Sequence, residues 1–296
     1  YFNHSNIISA SFFSRFTKTA VIFRIMGINP SMRNTLVNNR FTDIILRYCY
    51  RSPFDCIIST CDGSGDKEWI NKIKNSSTNF SSLVNGVDLK YSTKNVPKEL
   101  ADIDKAKTII LFAGRLEEFK GCLQFVQSFN GALQKTNNKL HGLIIGDGSL
   151  TNKTKDLISE LNLNEHITLI AKLEHKYILL AHKISNIYIS LNRRGNLSVA
   201  NLEAMKLGQC IIMPQSNIKL NIDLDTDKLI PKNAVIRVES SDDIIGISNA
   251  IVSLHRNIES RKHLSRNMKE SAQKFIPNWN ERISSEINII NGLLNE

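Results

Sequence analysis

The stretch Ser190 to Pro214, SLNRRGNLSVANLEAMKLGQCIIMP, limits what this chain can fold into more than any other. It follows an apolar run, Ile187-Tyr188-Ile189, that reads as a buried strand. A polar loop with one glycine, Asn192 to Asn196, comes next. From Leu197 to Leu207 the apolar residues fall at helical spacing, and Gly208 suits the left-handed residue that closes a helix. Cys210 to Met213 reads as a second buried strand. A strand, loop, helix and strand in so short a span point to a parallel sheet with crossover helices. In such sheets ligands bind beyond the C-terminal strand ends, where helix N-termini present free N–H groups. The loop and first helical turn therefore face a candidate ligand, and Glu203 is the one acidic side chain of the unit.

A second unit of the same kind precedes it. Thr108 to Phe112 reads as a buried strand, followed by Ala113-Gly114-Arg115-Leu116-Glu117-Glu118-Phe119-Lys120-Gly121 and a helix through Phe125, Phe129 and Leu133. A strand ending in Gly-Arg, with a lysine at the next helix start, suits a diphosphate: two cations and a helix N-terminus converge on one anion. Leu143-Ile144-Ile145 reads as the next strand, ending in Gly146-Asp147-Gly148, where the glycines permit a tight turn and Asp147 is a turn former. Ile167 to Ile170 reads as another strand, followed by Ala171-Lys172-Leu173. His175 and Tyr177 open the next helix; neither has a metal-ligand partner at helical spacing, so both read as structural. Upstream, Leu83 to Asp88 contains Asn85-Gly86, a turn signal, before a lysine-rich stretch.

In this order the motifs resemble the GT-B glycosyltransferases of family 4, which transfer a sugar from a nucleotide donor. The family's signature is an acidic residue, then Glu-Ala-Met and a Gly before a strand. Leu202-Glu203-Ala204-Met205 and Gly208 carry the second half, while Gly195 stands at the first acidic position. The resemblance implies that Glu203 binds the donor ribose and that Arg115 and Lys120 hold the diphosphate and stabilise the leaving group. It also implies that Gly114, Gly146, Gly148 and Leu197 line the donor site, and that Asn196, Ser198 or backbone amides supply the sugar contact in place of the missing carboxylate. The Ala171–Leu173 segment would line the base pocket. After Pro214 the family often has a glycine-rich loop, absent from Gln215-Ser216-Asn217-Ile218-Lys219.

What the resemblance implies is an α/β chain of GT-B type: a partial Rossmann-like N-terminal domain at residues 1–87, a Rossmann-like nucleotide-sugar domain at 88–270, and a C-terminal helix at 271–296 packing back on the N-terminal part. Trp279 would serve packing. The implied activity is retaining hexosyl or related glycosyl transfer to a glycan or lipid-linked acceptor, in cell-surface polysaccharide assembly. An inactive or binding-only relic is the alternative, favoured by Gly195 and by an N-terminal part short of its first strands. The chain opens on Tyr1, as a fragment or a processed form would.

The N-terminal part is less informative. Tyr1 to Thr19 mixes Phe12, Phe13 and Phe16 with Arg15 and Lys18, and suits either a core-facing helix, the commoner case, or a helix on a membrane surface. Ala20 to Ile25 reads as a strand, Asn34 to Arg51 as a helix and Cys56 to Ser59 as a strand. Arg24 and Arg33 flank a strand end and are candidates for acceptor or donor phosphate, or for plain surface positions. The net charge of +10 points to an acidic partner, such as nucleotide phosphates or an anionic membrane surface. Nucleic acid is disfavoured because the lysines are scattered without interleaved aromatics. Five cysteines without a C-x-x-C fit reduced thiols in a cytoplasmic protein, peripheral to the membrane if attached at all, and no metal or cofactor is expected.

Overall fold

The structure, a computed structural model, describes residues 1–294. It divides into two compact units: 1–86 with 217–225 and the residues from Pro277 onward, and 87–216 with 226–276.

The first unit is built from β1 (Phe2–Asn3), α1 (Ile7–Phe16), β2 (Ile22–Ile25), α2 (Pro30–Val37), α3 (Phe41–Tyr50), β3 (Cys56–Thr60), α4 (Asp66–Ile73) and β4 (Asn79–Leu83). The strands form one parallel sheet in sequence order, with Ile22 opposite Cys56 and Ile57 opposite Phe80. Right-handed crossovers that all advance the same way put the helices on one face. Alternation along the strands shows it: Phe23, Ile25 and Ile57 pack with Ala10, Met32, Tyr50 and Trp69 from the helices. Ile22, Cys56 and Ile58 turn to the other face, where Ile289, Ile290 and Leu293 of the C-terminal helix (Trp279–Leu294) cover them. Gly86 lies against that helix's first turn, where a Cβ would come within 2.7 Å of the Trp279 Cα.

The helix expected over Asn34–Arg51 is two helices. The first starts earlier, at Pro30, because Asn29 accepts from the Met32 N–H at 2.9 Å and proline suits the first helical position. The break falls at Asn38-Asn39, where Arg47 donates to the Asn38 carbonyl at 3.2 Å and to Asn39 Oδ1 at 3.0 Å, holding the chain extended.

The second unit contains α5 (Lys98–Ala101), β5 (Thr108–Ala113), α6 (Cys122–Gln134), β6 (Leu140–Ile145), α7 (Thr151–Glu160), β7 (Ile167–Ile170), α8 (His175–Ile184), β8 (Ile187–Ile189), α9 (Val199–Lys206) and β9 (Cys210–Pro214). After α10 (Leu224–Leu229), which spans the boundary at Asp225, come β10 (Ile236–Val238), α11 (Ile244–Arg256) and α12 (Ile258–Phe275). The C-terminal helix is α13. The parallel sheet has the order β10-β9-β8-β5-β6-β7. Covered on both faces, its strands are near-continuous apolar runs, every residue of β6 and β9 being buried. Phe125 and Phe129 of α6 are fully buried, each worth about 2–3 kcal/mol of apolar burial.

Candidate functional site

The chain leaves β5 toward β6 on one side and returns through α8 to β8 on the other, so β5 and β8 are neighbours whose crossovers diverge. This is the topological switch point of an open parallel sheet, where the loops part and leave room for a ligand. The loop after β5 carries Gly114, Arg115, Phe119 and Lys120; the loop after β8 carries Asn192 to Ser198. They are tied together by the Arg193 N–H donating to the Phe119 carbonyl at 2.9 Å. Gly121 starts α6 in the left-handed conformation with φ +77°, and a Cβ there would come within 2.6 Å of Leu191, so the two loops meet at a glycine. From β6, Gly146 with φ +146° passes so near the Gly114 carbonyl that a Cβ would sit 1.9 Å from its oxygen.

The Phe119 ring gathers three cations: the Arg194 guanidinium at 3.9 Å, Lys120 Nζ at 5.6 Å and the Arg115 guanidinium at 5.7 Å from its centroid. The ring's negative face eases their mutual repulsion. Arg193 is paired with Asp242, but among the described residues Arg115 and Arg194 have no carboxylate within ion-pair distance. Glu117 and Glu118 are the nearby acids; hydrogen bonds from the Ser149 hydroxyl and N–H, with Arg115 and Arg194 close by, hold the Glu117 carboxyl below the usual range. Arg115, Arg193 and Arg194, with Glu117 and Glu118 and with Phe119, Ser149 and Leu150, border a cavity of about 650 Å³. Three arginines against two glutamates leave a small excess of positive charge beside an open volume at a sheet switch point, an arrangement that suits an anion.

The loop after β8 owes its shape to buried amides. Ser190 Oγ donates to Asn196 Oδ1 at 2.6 Å; Asn201 Nδ2 donates to Ser190 Oγ at 2.7 Å and to the Asn196 carbonyl at 3.1 Å; Tyr188 donates to Asn201 Oδ1 at 2.7 Å. Asn196 and Leu197 are fully buried, and the Asn196 side chain braces the loop. Ser198 is half-buried ahead of α9 and makes no side-chain cap, which leaves its hydroxyl and the first N–H groups of the helix at the loop's outer edge.

Glu203 lies on α9 and is 4% exposed. Its Oε1 meets His175 Nε2 at 2.6 Å. Burial pushes the Glu203 carboxyl up, opposed by the hydrogen bond and charge of His175. His175 thus reaches, from another helix, the carboxylate that the family signature singles out. Spacing along the chain does not reveal this contact, because Glu203 is on another helix. The place of His175 just past the C-terminal end of β7 was the available clue. Phe119, Arg193 and Arg194 were also passed over, although all three lie in the two loops already singled out.

In the first unit the expected phosphate-binding arginines are occupied by protein. Arg24 donates to Thr60 Oγ1 at 3.0 Å and pairs with Glu286 at 3.6 Å; Arg33 donates to the carbonyls of Ser64 and Leu220. Among the described residues, one group has metal-ligand proximity: Cys61, Asp66 and Asp225, with ligand atoms within 4.8 Å of one another. Chain spacing around Cys61 gave no hint of it, since its neighbours are carboxylates from a helix start and a distant segment. Lys67 Nζ stands 3.2 Å from Asp225 and supplies a cation there. All five cysteines are buried and unpaired.

Fold and loops together define a two-part, parallel α/β protein of GT-B type with a cluster of cations at the switch point of its second sheet. A family model, glycosyl transferases group 1, matches residues 97–271. The chain belongs to that family. Two relatives are uncharacterized glycosyltransferases of Methanocaldococcus jannaschii. MJ1059 is 30% identical over 145 residues, covering 45% of this chain and 35% of the relative. MJ1069 is 24% identical over 199 residues, covering 67% and 48%. The chain thus spans between a third and a half of the length of these relatives. Among solved structures, sucrose-phosphate synthase from Thermosynechococcus elongatus superimposes with TM-score 0.77 at 15% identity, over 99% of this chain and 73% of that one. The Anabaena protein HepE, in complex with UDP and glucose, gives 0.74 at 12% over 96% and 75%. WaaG, a glycosyltransferase of lipopolysaccharide biosynthesis, gives 0.68 at 11% over 92% and 75%. At these identities the likeness shows the fold.

Proposed function

We propose that this chain is a retaining glycosyltransferase that binds a nucleotide-sugar donor on its second unit and moves the sugar to a glycan or lipid-linked acceptor. The observation that carries the reading is the set of cations around Phe119, two of them without a carboxylate partner among the described residues, beside the cavity at the β5–β8 switch point. A diphosphate fits that charge and that place. Arg115 and Lys120 hold it, and α6 turns its N-terminus toward it. Glu203, held by His175, accepts from the ribose hydroxyls; that HepE, of the same fold, is found in complex with UDP and glucose supports a nucleotide-sugar donor. A role in cell-surface polysaccharide assembly follows the example of WaaG.

In the step we assign, the acceptor hydroxyl forms its bond to the anomeric carbon on the face from which the diphosphate leaves. The bond to the diphosphate oxygen breaks, and that oxygen takes the acceptor proton. Arg115 and Lys120 stabilise the charge that develops on it. Gly195 at the first acidic position favours a second reading, in which the chain binds donor without transferring it. Calorimetric titration with UDP-, GDP-, ADP- and CMP-sugars, repeated on Glu203→Ala and Arg115→Ala, tests the donor site. Binding of one base series that weakens in both variants supports it, and absence of binding by the folded protein overturns it. Sugar release or transfer from the bound donor then separates the two readings.

A further inference from the structure

Cys61, Asp66 and Asp225 meet inside the first unit. Cys61 follows β3, where its N–H donates to the Leu83 carbonyl at 2.9 Å. Asp66 opens α4, and Asp225 ends the segment 217–225 that folds over the loop between them. The three residues are 3%, 0% and 5% exposed, and one ligand atom from each lies within 4.8 Å of the other two. Asp66 Oδ2 is engaged by hydroxyls: Ser82 donates to it at 2.6 Å, and Ser59 donates to it as well. Asp66 Oδ1 is equally buried and has no hydrogen-bond partner. A buried carboxylate oxygen without a donor is costly, and a cation relieves that cost. Lys67 brings its ammonium to Asp225 at 3.2 Å, a contact that leaves Asp66 Oδ1 unanswered.

We propose that Cys61, Asp66 and Asp225 bind one zinc ion, with Asp66 Oδ1 as a ligand atom, and that the ion clasps the segment 217–225 to the end of β3 and the start of α4. The donor set decides the metal. Magnesium and calcium take oxygen ligands alone, whereas zinc accepts thiolate at about 2.3 Å and carboxylate at about 2.0–2.2 Å. Atoms within 4.8 Å of one another close on such an ion by small turns of their side chains. Cys61 binds as the thiolate, and its proton passes to solvent. Three anionic ligands exceed the ion's charge by one, which Lys67 offsets from beside Asp225. The Lys67 side chain is half exposed and gives the ion its way in from solvent. The proposal uses the first unit alone and stands apart from the donor reading.

Titration of the full chain, first stripped with EDTA, with cobalt(II) and then zinc(II) tests it. Cobalt stands in for zinc because a thiolate ligand gives it a charge-transfer band in the near ultraviolet. One cobalt per chain with that band, displaced by one zinc, is the expected result, together with a higher melting temperature in zinc. Cys61→Ser is expected to abolish the band. Asp66→Asn is expected to weaken zinc binding roughly tenfold or more, the loss that even an outer partner of a metal ligand brings. Cys49→Ser, at a buried cysteine outside the cluster, is expected to keep both band and affinity. The wild-type titration decides the matter even if a variant fails to fold. No stoichiometric metal in the wild type overturns the proposal, as does metal bound without the thiolate band. A band that survives in folded Cys61→Ser overturns it too, by assigning the metal to another cysteine.

Discussion

Both units are parallel sheets with helices that start at strand ends, yet only one keeps its strand-end region open. In the first unit the segment 217–225 folds over the loop after β3. The Asp223 N–H donates to the Gly63 carbonyl at 2.7 Å, and a Cβ on Gly65 would sit 2.0 Å from the Asn221 carbonyl oxygen. Arg33 caps that same segment through the Leu220 carbonyl, and Lys67 pairs with its Asp225. In the second unit the loops after β5 and β8 diverge around a cavity of about 650 Å³, and Arg115 and Arg194 face it unpaired with any described carboxylate. A shared architecture does not make a shared site. What matters is room beside the strand ends together with charge that the protein has not already matched.

The contrast is broken most sharply at the cations. Replacing Arg115 and Lys120 together by Ala is expected to lower donor affinity by a hundredfold or more, at about 1.5–3 kcal/mol per charged contact. Calorimetry reads it; a loss below tenfold would mean that the diphosphate sits elsewhere.

Next comes the pH response of the second unit. His182 is 1% exposed, hydrogen-bonded to Gln209 at 2.6 Å, and burial lowers its pKa from 6.5 to about 4. The unfolded chain therefore binds more protons than the native one between those values. The stability this contributes is present above about 6.5 and is lost as pH falls toward about 4, amounting to about 3 kcal/mol. Denaturant melts of the wild type and His182→Gln across that range check it: the variant's profile should be flatter.

Asn201→Ala should cost about 1–3 kcal/mol, because it strands Ser190, Tyr188 and the Asn196 carbonyl in a buried network, and it should weaken donor binding by loosening the loop. Urea melts and the same titration read both effects. The smallest effect is expected from Arg33→Ala, about 1–2 kcal/mol of stability with donor affinity unchanged, since its guanidinium holds carbonyls of its own unit. A loss of donor affinity there would erase the distinction drawn between the units.

Much of the second unit was legible because its strands are buried on both faces and read as plain apolar runs, and because β5, β6 and β8 each end in a glycine-bearing loop. Glu203 and Arg115 could be found by local pattern. His175 could not, because its partner arrives from another helix; nor could the bracing of Asn196, which depends on Ser190 and Asn201 closing over it. The first unit was harder. Its helices show apolar residues on outward as well as inward faces, so periodicity alone could not say which side of α3 meets the core. The docking of 217–225 is a long-range contact that no local motif announces.

Amide hydrogen exchange with and without a saturating nucleotide-sugar tests the central claim most directly. The account predicts slowed exchange in residues 114–125 and 193–203 and little change in the first unit's strands. Unaltered exchange in those two loops with donor bound, or protection confined to the first unit, would contradict it.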